Sequence, residues 1–396
     1  MKILVTSLPD IQRIPIQRPH HLLRHLAERH EVSVRCVQSP REPPRQDAFI
    51  ENLMQKVDFR YLTEKSANPA IQELRSVLRR SLARELQEER YDVHLNLNSL
   101  LAGPRIATLL SRSRVPTVFD VGDDLPAAFS ESAQAPSWIR GLITPVSSLL
   151  LQRSLRSAAA VTYITEILAR KYRFPGNKSA KVPNGVDCNL FHPAFDPRSR
   201  EDLGIPADDF LCGMVGHLNG WVDLETPFHA LRSLIRQGGR VKMLVVGGGE
   251  YLPYYQRMAA EMGIDGAVTF TGPTAYGRGP RLVQAMDLCM LCRRPTPASH
   301  ASLPLKILEY MACAKPVLST PLDGVRETVG DRMGYAATPA EFTAAITHLM
   351  EHRDAAAEAG EANREFVLRH HTWDLICNRF DQVIRGVISD AAFRQA

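Results

Sequence analysis

Residues 299–320 read SHASLPLKILEYMACAKPVLST and combine a helix with the strand that follows it. The apolar residues of LKILEYMA recur at helical spacing, and Lys-Pro then leads into the apolar run PVLST. Another apolar run, DLCMLC, ends at residue 292, shortly before this stretch. The pattern predicts a helix between two parallel strands. Such a helix begins at the edge where the strands end, which is the edge that binds ligands in doubly wound sheets.

The same alternation of apolar runs and helical patterns extends along the chain. The predicted strands of the first half are 2–7, 31–37, 92–98, 116–124 and 159–165, with helices at 18–30, 100–112 and 137–158. Those of the second half are FLCGMVG, VKMLVVGGG, AVTFTG, LCMLCRR and PVLST, followed by helices over 340–393. Such alternation indicates parallel β-α-β units. We therefore expect an α/β protein of two doubly wound, Rossmann-like domains facing each other across a cleft.

One segment interrupts the alternation. Residues 182–209 contain four prolines and several turn residues with little periodicity. We therefore predict a first domain over 1–185, a linker over 186–209, a second domain over 210–370 and a C-terminal helix over 371–396.

The composition is that of a globular protein, with 44% hydrophobic and 23% charged residues among 396. No apolar stretch approaches the length of a membrane span, and the start MKILVTSLPD predicts a buried strand rather than a signal peptide. The seven cysteines then favour free thiols in a reducing cytoplasm. Cys289 and Cys292 lack a second pair at metal-binding spacing, so we expect buried strand thiols and no metal site.

The charge is distributed unevenly. Residues 1–190 carry 27 Lys and Arg against 19 Asp and Glu, whereas the remainder carries 21 against 24. A basic half suggests an anionic neighbour such as a membrane surface or a phosphorylated acceptor, although solvated arginines on helix faces give the same count. Nucleic acid is not expected, because no run of like charge or aromatic-basic pattern is present.

The helix within 299–320 carries Lys306 and Glu309, which share a face at a spacing of three. Pro304 suits the first helical position, and the free N–H groups that follow attract anions by about 0.3–1 kcal/mol. A lysine can pair with phosphate, and a carboxylate can accept hydrogen bonds from a diol. The two side chains together therefore suit a nucleoside diphosphate with its ribose. The alternative is an ordinary surface ion pair between the two side chains.

Other strand ends carry weaker signals. Gly216 ends the first strand of the second half and allows close approach of a ligand to the backbone. The triple glycine 247–249 favours a tight strand-to-helix turn over a phosphate loop. Asp123 and Asp124 follow a strand of the first half, where they suit acid–base chemistry or a helix cap equally.

Several stretches together resemble the retaining glycosyltransferases of the GT-B fold, in the large family-four group. They are RPHHLLRHLAERHEV, VPNGVDCNLFHP, VGHLNGWVD, SLPLKILEYMACAKPVLSTPLDGVRE and HTWDLICNRFDQVI. Together these stretches span almost the whole chain. The resemblance implies that the first domain takes the acceptor, that the second takes a nucleotide-sugar donor, and that the last helix crosses back to the first domain.

The resemblance also implies roles for individual residues. Glu309 matches the second glutamate of the family motif and would hold the ribose, while the first glutamate is replaced by Ala301. The usual basic pair after the first strand of the donor domain is absent, so Lys306 would carry the diphosphate charge with help from Arg293 or Arg294. The assigned donor-binding residues are Gly216, His217, Asn219, Arg293, Ser302, Leu303, Leu305, Lys306 and Glu309. The catalytic candidates are Asp123 and Lys306, and the acceptor-side candidates are Arg18, His20 and Asp124.

The function implied is transfer of a hexosyl group, with retention, from a nucleotide-diphosphate sugar of the UDP type to a hydroxyl acceptor. The acceptor is a saccharide, a lipid-linked sugar or a small metabolite, as in polysaccharide biosynthesis. No cofactor is expected, and the location expected is the cytoplasm, with peripheral membrane contact through the basic half. The alternatives are a nucleotide-sugar 2-epimerase on the same fold and a non-catalytic nucleotide-sugar-binding protein.

Overall fold

A computed structural model describes residues 1–7, 10–38, 44–63, 76–97, 109–110, 113–131, 137–196 and 198–395. The helix expected over 100–112 lies almost wholly outside these residues. The chain forms two compact units. The first combines Met1–Asn184 with Trp373–Ala396, and the second is Gly185–Thr372.

The first unit is a parallel sheet with helices in the crossovers, in the order β3-β2-β1-β4-β5-β6-β7. Its strands are β1 Lys2–Ser7, β2 Glu31–Val37, β3 Asp58–Thr63, β4 Val93–Leu97, β5 Thr117–Val121, β6 Ala160–Tyr163 and β7 Ser179–Lys181. Its helices are α1 Arg18–Ala27, α2 Ala48–Lys56, α3 Ser76–Glu88, α4 Leu125–Glu131, α5 Ser137–Ser157 and α6 Glu166–Tyr172, with a 3-10 turn at Gly176–Lys178. The strands β1, β4 and β5 are buried along almost their whole length, as is typical of central strands in a parallel sheet whose two faces are covered by helices.

The second unit repeats this design with the strand order β10-β9-β8-β11-β12-β13, again all parallel. Its strands are β8 Phe210–Val215, β9 Val241–Val246, β10 Val268–Gly272, β11 Leu288–Leu291, β12 Val317–Ser319 and β13 Gly334–Tyr335. Its helices are α7 Arg198–Glu201, α8 Glu225–Arg236, α9 Leu252–Glu261, α10 Gly279–Ala285, α11 Pro297–Ala301, α12 Leu305–Ala312, α13 Asp323–Val329, α14 Pro339–Glu351 and α15 Arg353–His370, with 3-10 turns at Asp265–Ala267 and Tyr276–Arg278. The prediction of two doubly wound α/β units is confirmed.

The triple glycine after β9 serves the turn itself. Gly247 and Gly249 have φ angles of +127° and +145°, which side chains rarely adopt. A Cβ on Gly247 would lie 1.9 Å from the carbonyl oxygen of Gly216, and one on Gly249 would lie 2.3 Å from that of Leu218. These glycines therefore let the loop after β9 pack directly on the loop after β8.

The segment 186–209 differs from the expected linker, because it packs into the second unit. Phe191 and Ile205 are buried in the core of that unit. The guanidinium of Arg200 donates to the carbonyl oxygen of Ala285 at 2.8 Å and pairs with Asp287 at 2.7 Å.

The last helix, α16 Trp373–Gln395, belongs to the first unit. The indole of Trp373 stacks on the His21 ring of α1 at 4.4 Å between centroids. About two turns later the Asp381 carboxylate contacts Nε2 of His30 at 2.8 Å. Among the described residues, no helix combines the length and the apolar character that crossing a bilayer requires.

The seven cysteines are free thiols, and Cys289 and Cys292 are buried, as expected for strand thiols. Burial raises the pKa of both thiols far above the ordinary value. Both therefore stay protonated and pack as small apolar groups.

Candidate functional site

The helix α12 stands in the crossover between the parallel strands β11 and β12. Its first turn therefore lies at the carboxyl edge of the second sheet. The helix begins at Leu305, and Pro304 is the N-cap with φ −63° and ψ 133°. The expectation that Pro304 is the first helical residue was wrong by one position. The free N–H groups of a first turn still follow it, because α-helical bonding leaves the first four without intrahelical acceptors.

Lys306 and Glu309 form an ion pair on this turn, with 2.8 Å between Nζ and Oε2. The Glu309 side chain is only 3% exposed, whereas that of Lys306 is 28% exposed. The Lys306 ammonium also lies 5.9 Å from the centre of the Tyr276 ring. A carboxylate buried to this degree does not fit the ordinary surface pair that spacing alone allowed.

Tyr310 ties α12 to the end of β8. Its hydroxyl accepts from the backbone N–H of Val215 at 2.8 Å, and the ring is fully buried. Burial raises the pKa of this phenol well above its usual value, so it remains a neutral partner. Sequence reasoning missed Tyr310, because an aromatic residue at core spacing carries no signal for a backbone partner 95 residues away.

The loop after β8 is shaped by its own backbone and side chains. The amide of Gly216 donates to the carbonyl of Val246 at 2.9 Å. A Cβ added to Gly216 would lie 3.2 Å from the methyl carbon of Met214. His217 is exposed and lies 3.3 Å from the Glu250 carboxylate. The side-chain oxygen of Asn219 accepts from the amide of Trp221 at 3.1 Å, so it closes the turn.

Arg293 approaches the residues that lead into α12. Its guanidinium lies 3.4 Å from the Ser302 hydroxyl, and its backbone amide donates to Thr320 at 3.0 Å. Ser302 and Leu303 are buried, and Leu305 is half-buried. Ala301 is also buried, so the position of the missing motif glutamate is packed within the unit.

The predicted donor residues therefore meet at one edge of the second sheet. Gly216, His217 and Asn219 follow β8, and Arg293 follows β11. The remaining predicted residues, Ser302, Leu303, Leu305, Lys306 and Glu309, lead into α12 or form its first turns. An arginine, a lysine and the start of a helix bring positive charge to this edge, and Glu309 adds a buried carboxylate paired with Lys306.

The acceptor-side assignments of Arg18 and His20 do not fit the structure. Both residues lie in α1 and are buried. The Arg18 guanidinium binds Asp120 with two hydrogen bonds, and Nε2 of His20 contacts the carbonyl of Ile11 at 2.8 Å. Burial lowers the pKa of His20 to about 4. These two side chains therefore stabilise the first unit through their buried partners. The sequence pattern could not reveal those partners.

The two aspartates after β5 have different surroundings. Asp123 is exposed. Asp124 is buried, where its carboxylate accepts from Lys171 at 2.5 Å, from the Tyr172 hydroxyl and from the Ala127 amide at 3.1 Å. Asp124 is thus the cap of α4 and not a residue placed to meet an acceptor.

No group of three His, Cys, Asp or Glu side chains that could hold a metal ion occurs among the residues that the structure describes.

Two family models match the chain. The model for glycosyl transferases group 1 matches residues 195–366, which include the residues predicted to bind the donor. The model for Glycosyltransferase Family 4 matches residues 18–190, which are most of the first unit and the first six residues of the second.

Similar curated proteins include two kinds of bacterial enzyme. The GDP-mannose-dependent alpha-(1-6)-phosphatidylinositol monomannoside mannosyltransferase of Mycobacterium tuberculosis is 28% identical over 262 residues, which are 63% of this chain and 66% of that protein. The D-inositol 3-phosphate glycosyltransferase of Stackebrandtia nassauensis is 30% identical over 178 residues, which are 42% of this chain and 38% of that protein. The chain thus matches just under two thirds of the first relative and much less of the second.

Solved structures share the fold over nearly the whole chain. HepE of Anabaena in complex with UDP has a TM-score of 0.72 and 19% identity, with 98% of this chain and 100% of that chain covered. The sucrose-phosphate synthase of Thermosynechococcus elongatus has a TM-score of 0.77 and 17% identity, with 98% and 99% covered. At these identities the likeness establishes the fold alone.

The two family models account for both units in the order that the resemblance implied, and the sheet topology agrees with them. The chain therefore belongs to the group 1, family-four glycosyltransferases of the GT-B fold.

Proposed function

We propose that this protein transfers a hexosyl group from a nucleotide-diphosphate sugar to a hydroxyl acceptor, with retention of configuration. The observation that carries the proposal is the first turn of α12, where a half-exposed lysine and a buried glutamate share one face. Membership of a glycosyltransferase family is consistent with the same chemistry.

The donor diphosphate binds at the start of α12. Backbone N–H groups of the first turn and the Lys306 ammonium neutralise its charge, and Arg293 lies beside Ser302 to assist. The charge on the diphosphate grows as the bond to the sugar breaks, so the same groups stabilise the transition state more than the ground state. Lys306 thereby acts in catalysis as well as in binding.

Glu309 accepts hydrogen bonds from the ribose hydroxyls. A carboxylate repels phosphate oxygens and attracts hydroxyl donors, so the order of Lys306 and Glu309 along the helix sets the order of phosphate and ribose. The buried position of Glu309 strengthens these bonds, because water competes little there.

Asp123 is the carboxylate that we propose for orienting the acceptor or the sugar. It is exposed, whereas its neighbour Asp124 is buried and caps a helix. The relatives' names mention a phosphatidylinositol mannoside and an inositol phosphate, and the HepE complex contains UDP. We propose a saccharide, lipid-linked or small-metabolite alcohol as acceptor and a UDP sugar as donor, with a GDP sugar as the competing choice.

The experiment is a thermal-shift screen over nucleoside diphosphates and their sugars, followed by product analysis with and without acceptors. A ligand at about 100 times its Kd should stabilise the protein by about 2.7 kcal/mol. If no nucleoside diphosphate raises the melting temperature, the proposal is wrong. Conversion of the donor sugar into its 2-epimer without an acceptor would identify an epimerase. Binding of a nucleotide sugar without turnover would identify a non-catalytic binding protein.

A further inference from the structure

The Lys306–Glu309 pair is closed without any ligand. The ammonium and the carboxylate are 2.8 Å apart, and the pair as a whole carries no net charge. A bare anion that approaches the first turn of α12 therefore meets a cation that is already neutralised. The attraction of an isolated lysine for phosphate is largely lost in such an arrangement.

The two partners do not share solvent equally. Lys306 is 28% exposed and can turn toward a ligand, whereas Glu309 is 3% exposed and is fixed within the helix. If an anion draws Lys306 away, it leaves a buried carboxylate without its cation. Removing one partner of a buried pair is strongly unfavourable, because the remaining charge is neither hydrated nor paired.

A nucleoside diphosphate avoids this cost. Its phosphates accept from Lys306, while its ribose hydroxyls donate to Glu309 in place of the ammonium. Each charge of the pair thus exchanges one partner for another, and neither is left bare. The Tyr276 ring, 5.9 Å from Nζ, keeps an apolar face beside the ammonium during the exchange.

We infer that the Lys306–Glu309 pair makes the donor site selective against inorganic phosphate and pyrophosphate, because only a ligand with both an anion and a diol can open it. The inference rests on the proposed donor site and adds a specificity role to it. The pair then keeps the site available to nucleotides where free phosphates compete for it.

The test is calorimetric titration of the wild type and of Glu309→Gln with two ligands, pyrophosphate and the nucleoside diphosphate identified by the screen. Glu309→Gln frees Lys306 and removes the adjacent negative charge, so the affinity for pyrophosphate should rise about tenfold. The affinity for the nucleoside diphosphate should fall about tenfold, because the ribose loses a charged acceptor. Selectivity for the nucleotide over pyrophosphate should thus fall about a hundredfold.

The matched control is Asp323→Asn. Asp323 is exposed and follows β12 at the same edge of the sheet, so this variant removes one negative charge without freeing Lys306. Its affinity for pyrophosphate should stay within about twofold of the wild type. If Asp323→Asn raised the affinity for pyrophosphate as much as Glu309→Gln does, the effect of Glu309 would be one of net charge alone. That result would overturn the inference.

A second variant covers the case in which Glu309→Gln does not fold. Lys306→Met/Glu309→Gln removes both charges, and it should bind pyrophosphate within about threefold of the wild type, because a neutralised pair adds little attraction. The inference is contradicted if the affinity for pyrophosphate is unchanged or lower in Glu309→Gln. It is also contradicted if that affinity is at least tenfold lower in the double variant. Failure of the proposed function is a separate result, in which the wild type binds no nucleoside diphosphate.

Discussion

Arg18 and Asp120 form a buried bidentate ion pair in the first unit. Nε of Arg18 lies 2.9 Å from Oδ2 of Asp120, and Nη2 lies 2.8 Å from Oδ1. The Thr162 hydroxyl donates to the same carboxylate at 2.6 Å, and Nη1 of Arg18 donates to the carbonyl of Pro183 at 2.9 Å. The pair therefore joins α1 to β5, β6 and the chain after β7.

Breaking this pair should destabilise the first unit. Asp120→Asn removes the charge that compensates the buried guanidinium, so the free energy of unfolding should fall by about 3–5 kcal/mol. Urea unfolding followed by circular dichroism measures the change. The control is Glu365→Gln, which breaks an exposed pair with Arg369 and should cost less than about 1 kcal/mol. Equal effects of the two variants would contradict the structural role of the buried pair.

Asp123→Asn should lower turnover at least about tenfold, while the affinity for the donor changes little, because general acid–base or orienting groups act on the reaction more than on donor binding. Steady-state kinetics and calorimetry separate the two effects. Asp124→Asn is the structural comparison: it weakens the contacts with Lys171 and Tyr172 and should lower the melting temperature. Turnover near that of the wild type in Asp123→Asn would rule out Asp123 as a catalytic residue.

Lys306→Ala should lower the affinity for the donor about ten- to a hundredfold, because a charge-assisted hydrogen bond to phosphate contributes roughly 1.5–3 kcal/mol. Calorimetric titration with the nucleoside diphosphate measures it. Glu309→Gln should bind the diphosphate and its 2′,3′-dideoxy analogue with nearly equal affinity, whereas the wild type should prefer the ribose form. Unchanged donor affinity in both variants would show that this turn of α12 is not the donor site.

The buried histidines of the first unit should make the protein sensitive to acid. Burial lowers the pKa of His94 to about 3 and that of His20 to about 4, whereas a histidine in the unfolded chain titrates near about 6.5. Between these values the unfolded chain binds more protons, so stability should fall as the pH decreases from about 6.5 toward 4. Each histidine contributes a slope of up to about 1.4 kcal/mol per pH unit.

The measurement is the melting temperature of the wild type and of His94→Gln between about pH 7.5 and 4.5. His94 contacts the hydroxyls of Thr6 and Thr117 at 2.8 and 3.2 Å, and a glutamine amide can replace part of these contacts. The variant should lose less stability than the wild type on acidification. Parallel curves would exclude His94 as a source of the acid sensitivity.

The basic half of the chain should bind an anionic surface. Residues 1–190 carry an excess of eight positive charges, and exposed charges interact over about 8–10 Å at physiological ionic strength. Cosedimentation with anionic vesicles should therefore decrease as salt is added, whereas neutral vesicles should retain little protein. Absence of binding to anionic vesicles and to phosphorylated acceptors at low salt would favour an uncharged, soluble acceptor.

The periodicity of the sequence was sufficient to predict most of the sheet. The strands β1 and β2 have the expected bounds, because the β-branched apolar run of one and the alternating apolar residues of the other are both typical of strands. The strand β7 was not predicted, because its three half-buried residues are too few to show a pattern.

The sequence by itself determined the two-unit α/β fold and the placement of Lys306 and Glu309 on one helical face, because both depend on spacings of a few residues. Only the tertiary structure decided which charged groups are buried. Arg18 is paired with a carboxylate 102 residues away, and Glu309 is enclosed within the second unit. The electrostatic role of a side chain depends on the solvent and on the partners around it, and residues distant in the sequence provide both.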